Sequence, residues 1–166
     1  MSAEPLENAE SARTPPAHPK SAARLAAVQA LYQLEATGAG VDTVVLEFQS
    51  HRLGGDLDGV AIVDADGDYF EALVRGVVDG QDRIDRFLAA RLSANWRLER
   101  VNATSRAILR AGVHELTAMP ETPFRVVIDE YLEVAHAFLD DDEARFINAI
   151  LDGAARAARP DEVDAR

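Results

Sequence analysis

The sequence predicts an all-α fold, a single compact domain of about seven helices. Apolar residues recur at helical spacing almost everywhere after Lys20. The chain has 166 residues, which fits one domain and is long enough to bury a core. Hydrophobic residues make up 48% and charged residues 28%, as in ordinary water-soluble proteins.

Each predicted helix combines an apolar stripe with a stop or start signal. Gly38 is the predicted stop of the first helix, and Asp42 and Asn102 are the predicted caps of later helices. The Gly- and Asp-rich segment 54–68 predicts an exposed loop, and its role stays open. The predicted helices span about residues 21–35, 42–53, 68–92, 102–118, 124–139 and 143–158.

The termini differ in composition from the helical region. Residues 1–19 are small, polar and rich in proline, which predicts a disordered N-terminal tail. The helical domain is expected over residues 20–158, and Pro160 is expected to end it, leaving 159–166 as a C-terminal tail. Asn95 and Trp96 form a predicted connector, with Trp96 interpreted as a packing residue.

The motifs of catalysis and metal binding are missing or incomplete. The chain has no cysteine, which excludes disulfides and thiolate sites and suits a reducing cytoplasm. His114 and Glu115 begin a zinc-protease motif whose second histidine would fall at Ala118. No secretory signal and no membrane-spanning apolar run is present. The sequence therefore predicts a cytoplasmic binding protein with no catalytic residues, metal or cofactor.

The formal net charge is −12. Nucleic-acid binders are more often basic, so any RNA contact must be a local patch on an acidic body. The acidity favours a basic protein partner.

Segments in a fixed order resemble the NusB family of bacterial transcription antitermination factors. The recurring Arg110, the Ile128-Asp129-Glu130 run and the Phe146-x-Asn148 motif carry most of the resemblance, which covers roughly residues 20–153. The matching segments are SAARLAAVQALYQ (21–33), YFEALVRGV (69–77), NWRLERV (95–101), RAILRAGVHEL (106–116), PFRVVIDEYLEVAHAF (123–138) and RFINAILD (145–152).

The resemblance implies two packed helical bundles and a binding function. It implies recognition of the boxA element of ribosomal RNA leader transcripts together with NusE, a small-subunit ribosomal protein, inside an RNA polymerase antitermination complex. NusE-contacting residues are expected between Phe87 and Leu116. Whether the chain is a monomer or a homodimer stays open.

The resemblance also implies an RNA surface made by the start of the first helix and the start of the last. The family's arginine-rich run is reduced here to Lys20 and Arg24, which predicts few phosphate contacts. A cation beside an aromatic ring is what single-stranded RNA requires. The candidate RNA-binding residues are Lys20, Arg24, Tyr32, Glu99, Asp142, Arg145 and Phe146.

Structural alternatives remain open for these positions. Tyr32 and Phe146 suit a core, Asp142 suits a helix cap, and the charged residues suit surface ion pairs. Two other functions also remain: a protein-only helical scaffold, or a regulatory domain related to the NusB-like part of ribosomal RNA cytosine methyltransferases.

Overall fold

The computed structural model describes residues 18–53, 55–57, 60–62 and 65–165. The predicted N-terminal tail lies almost wholly outside these residues, except that Pro19 already belongs to the first helix. In chain order the elements are α1 (Pro19–Thr37), α2 (Val41–His51), β1 (Gly55–Leu57), β2 (Val60–Ile62), α3 (Gly67–Asp79), α4 (Gln81–Ala89), a 3₁₀ helix (Leu98–Arg100), α5 (Ala103–Ala118), α6 (Phe124–Phe138), α7 (Asp141–Ala158) and α8 (Pro160–Asp164).

Helix α1 is the central element of the fold. Pro19 occupies its first turn, where a missing N–H costs nothing, and Gly38 ends it with a φ of 70°. Its buried face is mostly alanine, so neighbouring helices approach closely. Helix α1 contacts α2, α3, α5 and α6, and these helices share one hydrophobic core.

The two-bundle architecture is confirmed. Helices α1, α2 and α3 pack together in the first half, where the rings of Phe48 and Phe70 stack at 5.5 Å. Helices α5, α6 and α7 pack together in the second half, and α1 lies against α5 to join the halves. The described residues form eight α-helices and one 3₁₀ turn, close to the predicted count.

Two predicted boundaries are wrong. The predicted helix 68–92 is two helices, because Gly80 ends α3 and α4 begins at the next residue. The predicted loop contains an antiparallel pair of strands, with Gly55 opposite Ile62 and Leu57 opposite Val60. The run Val60–Ile62 contains two β-branched residues, which favour a strand over an irregular loop.

The predicted C-terminal tail is also wrong, because the chain continues as helix α8. Helix α7 ends at Ala158 as the position of Pro160 predicts, but Pro160 also begins α8, since proline is tolerated in a first turn. Arg159, between α7 and α8, is buried, and its guanidinium donates to the backbone carbonyls of Glu115, Leu116, Met119 and Thr122. The last turn of α5 is thereby tied to the C-terminal segment.

Of the described helices, none combines the length and the apolar character that crossing a membrane requires.

Candidate nucleic-acid interface

The two cations predicted at the start of α1 have different environments. Lys20 is partly exposed, and its Nζ lies 5.1 Å from the centre of the Tyr69 ring. No ion pair to Lys20 occurs among the described residues. The Lys20 ammonium group thus lies at cation–π distance from the Tyr69 ring and has no carboxylate partner among the described residues, so it is available to a phosphate group.

Arg24 is buried, and the prediction that it contacts RNA phosphates is wrong. It is only 2% exposed, and its Nε lies 3.0 Å from both carboxylate oxygens of Glu115 on α5. Its Nη1 lies 3.5 Å from Glu130 on α6. The small neighbours Ala23 and Ala27 let α5 and α6 approach closely enough to enclose the side chain.

The environment of Arg24 keeps it charged. Burial by itself lowers the pKa of Arg24, but the hydrogen bonds and negative charge of Glu115 outweigh burial and raise the pKa above its ordinary value. The Tyr69 hydroxyl donates to the same Glu115 carboxylate, and the Tyr69 ring lies 5.3 Å from the guanidinium. This group of side chains is a structural link between four helices and has no free face for a ligand.

Tyr32 lies about two turns along α1 from Arg24 and is exposed to solvent. Its side chain is 48% exposed and lines an open groove of about 400 Å³, here called the tyrosine groove. Phe138, at the end of α6, lines the same groove and is 54% exposed. The groove is formed by Val28, Gln29, Tyr32, Gln33, Ala36, Thr37, Arg52, Thr104 and Phe138.

Phe138 was missed by the sequence reasoning because it falls in a strongly apolar helical segment where core positions dominate. The available signal was its position: it is the last residue of α6, just before the acidic run 140–142. A bulky ring at a helix end beside charged residues has fewer neighbours to cover it.

The start of α7 lies close to the tyrosine groove. Helix α7 begins three residues after Phe138, and the Ser105 hydroxyl donates to Glu143 of α7 at 2.8 Å. Ser105 directly follows Thr104, which lines the groove. The structure thus brings Tyr32 and the first turn of α7 to the same region of the surface through Phe138 and Thr104.

The three predicted residues on α7 are accessible to different degrees. Asp142 and Arg145 are well exposed and form an ion pair of 2.9 Å, which contributes little to stability in water. Asp142 is not the helix cap, because Asp140 takes that role by accepting from the Glu143 N–H at 2.8 Å. Phe146 is half-buried against the core, so one part of its ring is open to solvent.

Glu99 lies on a different surface, in the 3₁₀ helix after the connector. It lines a second open groove of about 550 Å³, here called the tryptophan groove. Trp96 lines it too and is 55% exposed, so the interpretation of Trp96 as a packing residue is wrong. This groove is formed by Asp82, Asp85, Arg86, Ala89, Trp96, Arg97, Leu98 and Glu99.

The tyrosine groove has the properties of a binding surface. Within the described ranges, no three histidine or carboxylate side chains are grouped closely enough to hold a metal ion. The aromatic rings of the tyrosine groove are exposed, with amide, hydroxyl and guanidinium groups beside them. The fold and this surface define the protein as a small helical binding protein with an aromatic surface of the kind that stacks on bases.

Comparisons with known proteins agree with this class. The model of the NusB family matches residues 21–156, and the chain belongs to the NusB family. It is similar to the transcription antitermination protein NusB of Caulobacter vibrioides, with 52% identity over 141 residues, covering 85% of this chain and 95% of that protein. The NusB protein of Maricaulis maris is 53% identical over 143 residues, covering 86% and 89%.

Solved structures show the same fold. T. maritima NusB superposes with a TM-score of 0.73 at 24% identity, covering 89% of this chain and 98% of that one. A chain from the structure of the antitermination factors NusB and NusE in complex with dsRNA has a TM-score of 0.69 at 22% identity, covering 82% and 96%.

Proposed function

We propose that this protein is a transcription antitermination factor that binds boxA RNA of ribosomal RNA leader transcripts together with NusE. In this role it works in the cytoplasm, in an RNA polymerase antitermination complex, by binding without catalysis. The observation that carries the proposal is the 52% identity to a curated antitermination protein over nearly its whole length. The exposed tyrosine groove supplies a matching surface.

The RNA is held mainly by stacking in this proposal. Bases stack on Tyr32 and Phe138, whose rings are about half exposed, and on the open part of Phe146. Lys20 and Arg145 neutralise phosphates, and Asp142 accepts hydrogen bonds from a base edge. Since Arg24 is buried, the electrostatic part of binding rests on fewer cations than the sequence suggested.

In this proposal NusE supplies the positive charge that the acidic surface lacks. A body with a formal net charge of −12 repels RNA at long range and attracts a basic protein. A bound basic partner reduces this repulsion and extends the RNA surface, so each ligand strengthens binding of the other. RNA affinity is therefore higher in the presence of NusE than in its absence.

The test is a mobility-shift titration of the full chain with boxA RNA, with and without NusE. Tyr32→Ala and Phe138→Ala each weaken binding by about 1–3 kcal/mol, roughly 5- to 150-fold in Kd, if each ring stacks on a base. Leu46→Ala is the control, because Leu46 is 66% exposed and lies outside the groove. The absence of any shift, with or without NusE, contradicts the RNA role.

The few exposed cations at this surface also support a second candidate, a scaffold that binds only proteins. The salt dependence of RNA affinity separates the antitermination factor from the protein-only scaffold. Two phosphate contacts give a slope of about −1.4 in log Kobs against log salt, and Lys20→Gln reduces its magnitude by about 0.7. If the protein binds NusE and shows no RNA affinity even at low salt, it acts as a protein-only scaffold.

A further inference from the structure

We propose that the tryptophan groove is a second RNA contact, which takes a guanine base of single-stranded RNA. This inference rests on the proposed RNA-binding function and adds a site and a base preference to it. Three features of the groove carry the inference: an exposed indole, arginines without carboxylate partners, and free carboxylates in the same lining.

The indole of Trp96 is a large apolar surface left open to water. Its side chain is 55% exposed, and it belongs to the short connector between α4 and the 3₁₀ helix. Ala89, which is exposed, and Leu98, which is partly buried, line the same groove and add apolar side chains to it. Exposed tryptophan rings are stacking surfaces for bases, and each stacked base contributes about 1–3 kcal/mol.

The charge around Trp96 differs from that of the rest of the protein. Residues 82–100 contain five arginines and three carboxylates, in a chain whose net charge is −12. Arg86 and Arg97 line the groove, are exposed, and form no ion pair among the described residues. In contrast, ion pairs within 3.0 Å hold other arginines of the protein, namely Arg24, Arg75, Arg106, Arg110, Arg145 and Arg156.

Unpaired guanidinium groups beside an aromatic ring fit a phosphate-bearing ligand. Arg86 and Arg97 would meet the phosphates on either side of a stacked base, as in other single-strand sites. Asp82 and Glu99 in the same lining attract a basic segment, so the net charge of the groove does not choose between the two partners. The exposed indole together with the two unpaired guanidinium groups is what favours RNA.

The carboxylates of the groove indicate which base is bound. Glu99 and Asp82 are exposed and form no ion pair among the described residues, whereas Asp85 is bound to Arg110 at 2.9 Å. Guanine presents two neighbouring N–H donors, N1 and N2, on its Watson–Crick edge, and a carboxylate accepts both. Uracil offers a single N–H on that edge between two carbonyls, which a carboxylate meets poorly.

The position of the groove lets one strand reach both RNA surfaces. Glu99 lines the tryptophan groove and Thr104 lines the tyrosine groove, five residues later. Five residues extend over at most roughly 18 Å, so a short RNA spans the distance. Arg106 donates to the carbonyls of Leu98 and Glu99 at 3.3 Å, which holds the connecting segment in place.

The experiment uses the fact that Trp96 is the only tryptophan of the chain. The full-length protein is titrated at low salt with three hexanucleotides: uridines with one guanosine, the same with inosine, and uridines alone. Tryptophan fluorescence reports occupation of this groove, and a mobility shift reports binding anywhere. The guanosine RNA is expected to quench Trp96 and to bind roughly tenfold more tightly than the inosine RNA, which lacks the N2 donors.

Matched variants assign the effect to the groove. Arg86→Ala with Arg97→Ala lowers the affinity of the guanosine RNA seen by quenching, whereas Arg156→Ala, an exposed arginine on α7, leaves it unchanged. Glu99→Gln removes the preference for guanosine over inosine and leaves the fold, measured by circular dichroism, intact.

The outcomes separate the inference from the proposed function. RNA that shifts the protein without quenching Trp96 overturns the inference and leaves the RNA-binding function standing. Quenching by NusE but not by RNA overturns it in favour of a protein contact. Equal quenching by all three RNAs rejects guanine as the bound base, and no binding of any RNA, boxA included, rejects both proposals.

Discussion

Arg24 of α1 and Glu115 of α5 form a two-pronged ion pair inside the protein. The Nε and Nη2 atoms of Arg24 lie 3.0 Å and 2.7 Å from the Glu115 carboxylate, and both side chains are almost wholly buried. The pair joins the two helical halves at the point where α1 crosses α5. A buried ion pair costs desolvation, but losing one partner leaves an isolated charge in the interior.

Arg24→Ala is therefore expected to destabilise the protein by about 3–5 kcal/mol, because Glu115 would be left buried and unpaired. Urea unfolding followed by circular dichroism measures the change. Arg145→Ala is the control, since its partner Asp142 is exposed and the loss is at most about 1 kcal/mol. A small effect of Arg24→Ala on stability, together with weaker RNA binding, would mean that Arg24 is a surface contact after all.

A second prediction concerns the contact between α3 and α5 at Gly76. A Cβ atom added to Gly76 would lie 2.1 Å from Nε2 of His114, whose ring packs against the glycine. Gly76→Ala is expected to cost about 1–3 kcal/mol through overpacking, in spite of the better helix propensity of alanine. Thermal unfolding measures it. The double variant with His114→Ala should recover part of the loss, and strictly additive effects would show that the two positions do not touch.

The fold was largely predictable, because it rests on apolar periodicity. The helix bounds at Asn102, Pro123 and Pro160 follow from local rules that the sequence displays directly. The break at Gly80 and the short strands were missed, since glycine is tolerated inside helices and short β-branched runs are ambiguous.

The candidate site was predictable only in part. Tyr32, Asp142 and Arg145 are exposed as expected. Arg24 is not, because burial of an arginine depends on a distant carboxylate, here 91 residues away, which local sequence does not show. Exposure of Phe138 was missed because an aromatic residue in an apolar segment is usually covered. Exposure of Trp96 was missed because a large apolar ring usually packs against the core. In both cases the path of the chain leaves the ring open.

A third prediction concerns pH. Burial lowers the pKa of His114 below its ordinary value of 6.5, the charge of Arg83 lowers it further, and Glu115 opposes the shift. The unfolded chain therefore takes up a proton at a higher pH than the folded protein does. The stability due to neutral His114 is complete above about pH 6.5 and is lost as the pH falls through the lower folded pKa.

Urea unfolding at about pH 7.5 and about pH 5.5 measures this loss, which cannot exceed about 1.4 kcal/mol per pH unit for one group. His114→Gln removes the histidine contribution and leaves the carboxylates to titrate as before. The native protein should lose more stability between the two pH values than His114→Gln does. Equal losses would show that His114 has the same pKa in both states.

The last prediction concerns Arg159, which links the C-terminal segment to the turn between α5 and α6. Its guanidinium donates to the carbonyls of Leu116 and Met119 at 2.9 Å and to that of Thr122 at 2.6 Å. It also pairs with Glu162 at 3.2 Å, whose carboxylate accepts from the Phe124 N–H at 2.7 Å. The end of α5 and the start of α6 are thus both capped by residues near the chain's end.

Arg159→Ala is expected to lower the free energy of unfolding by about 1–3 kcal/mol, because buried carbonyls lose their donors. Arg159→Lys should restore only part of it, since an ammonium group cannot reproduce the planar set of five donors. Amide hydrogen exchange tests the second cap: Phe124 loses protection in Glu162→Ala, which removes the acceptor of its N–H, while the core amides of α1 keep theirs. If lysine restored full stability, charge alone at this position would suffice, and the directed hydrogen bonds to the α5 carbonyls would contribute little.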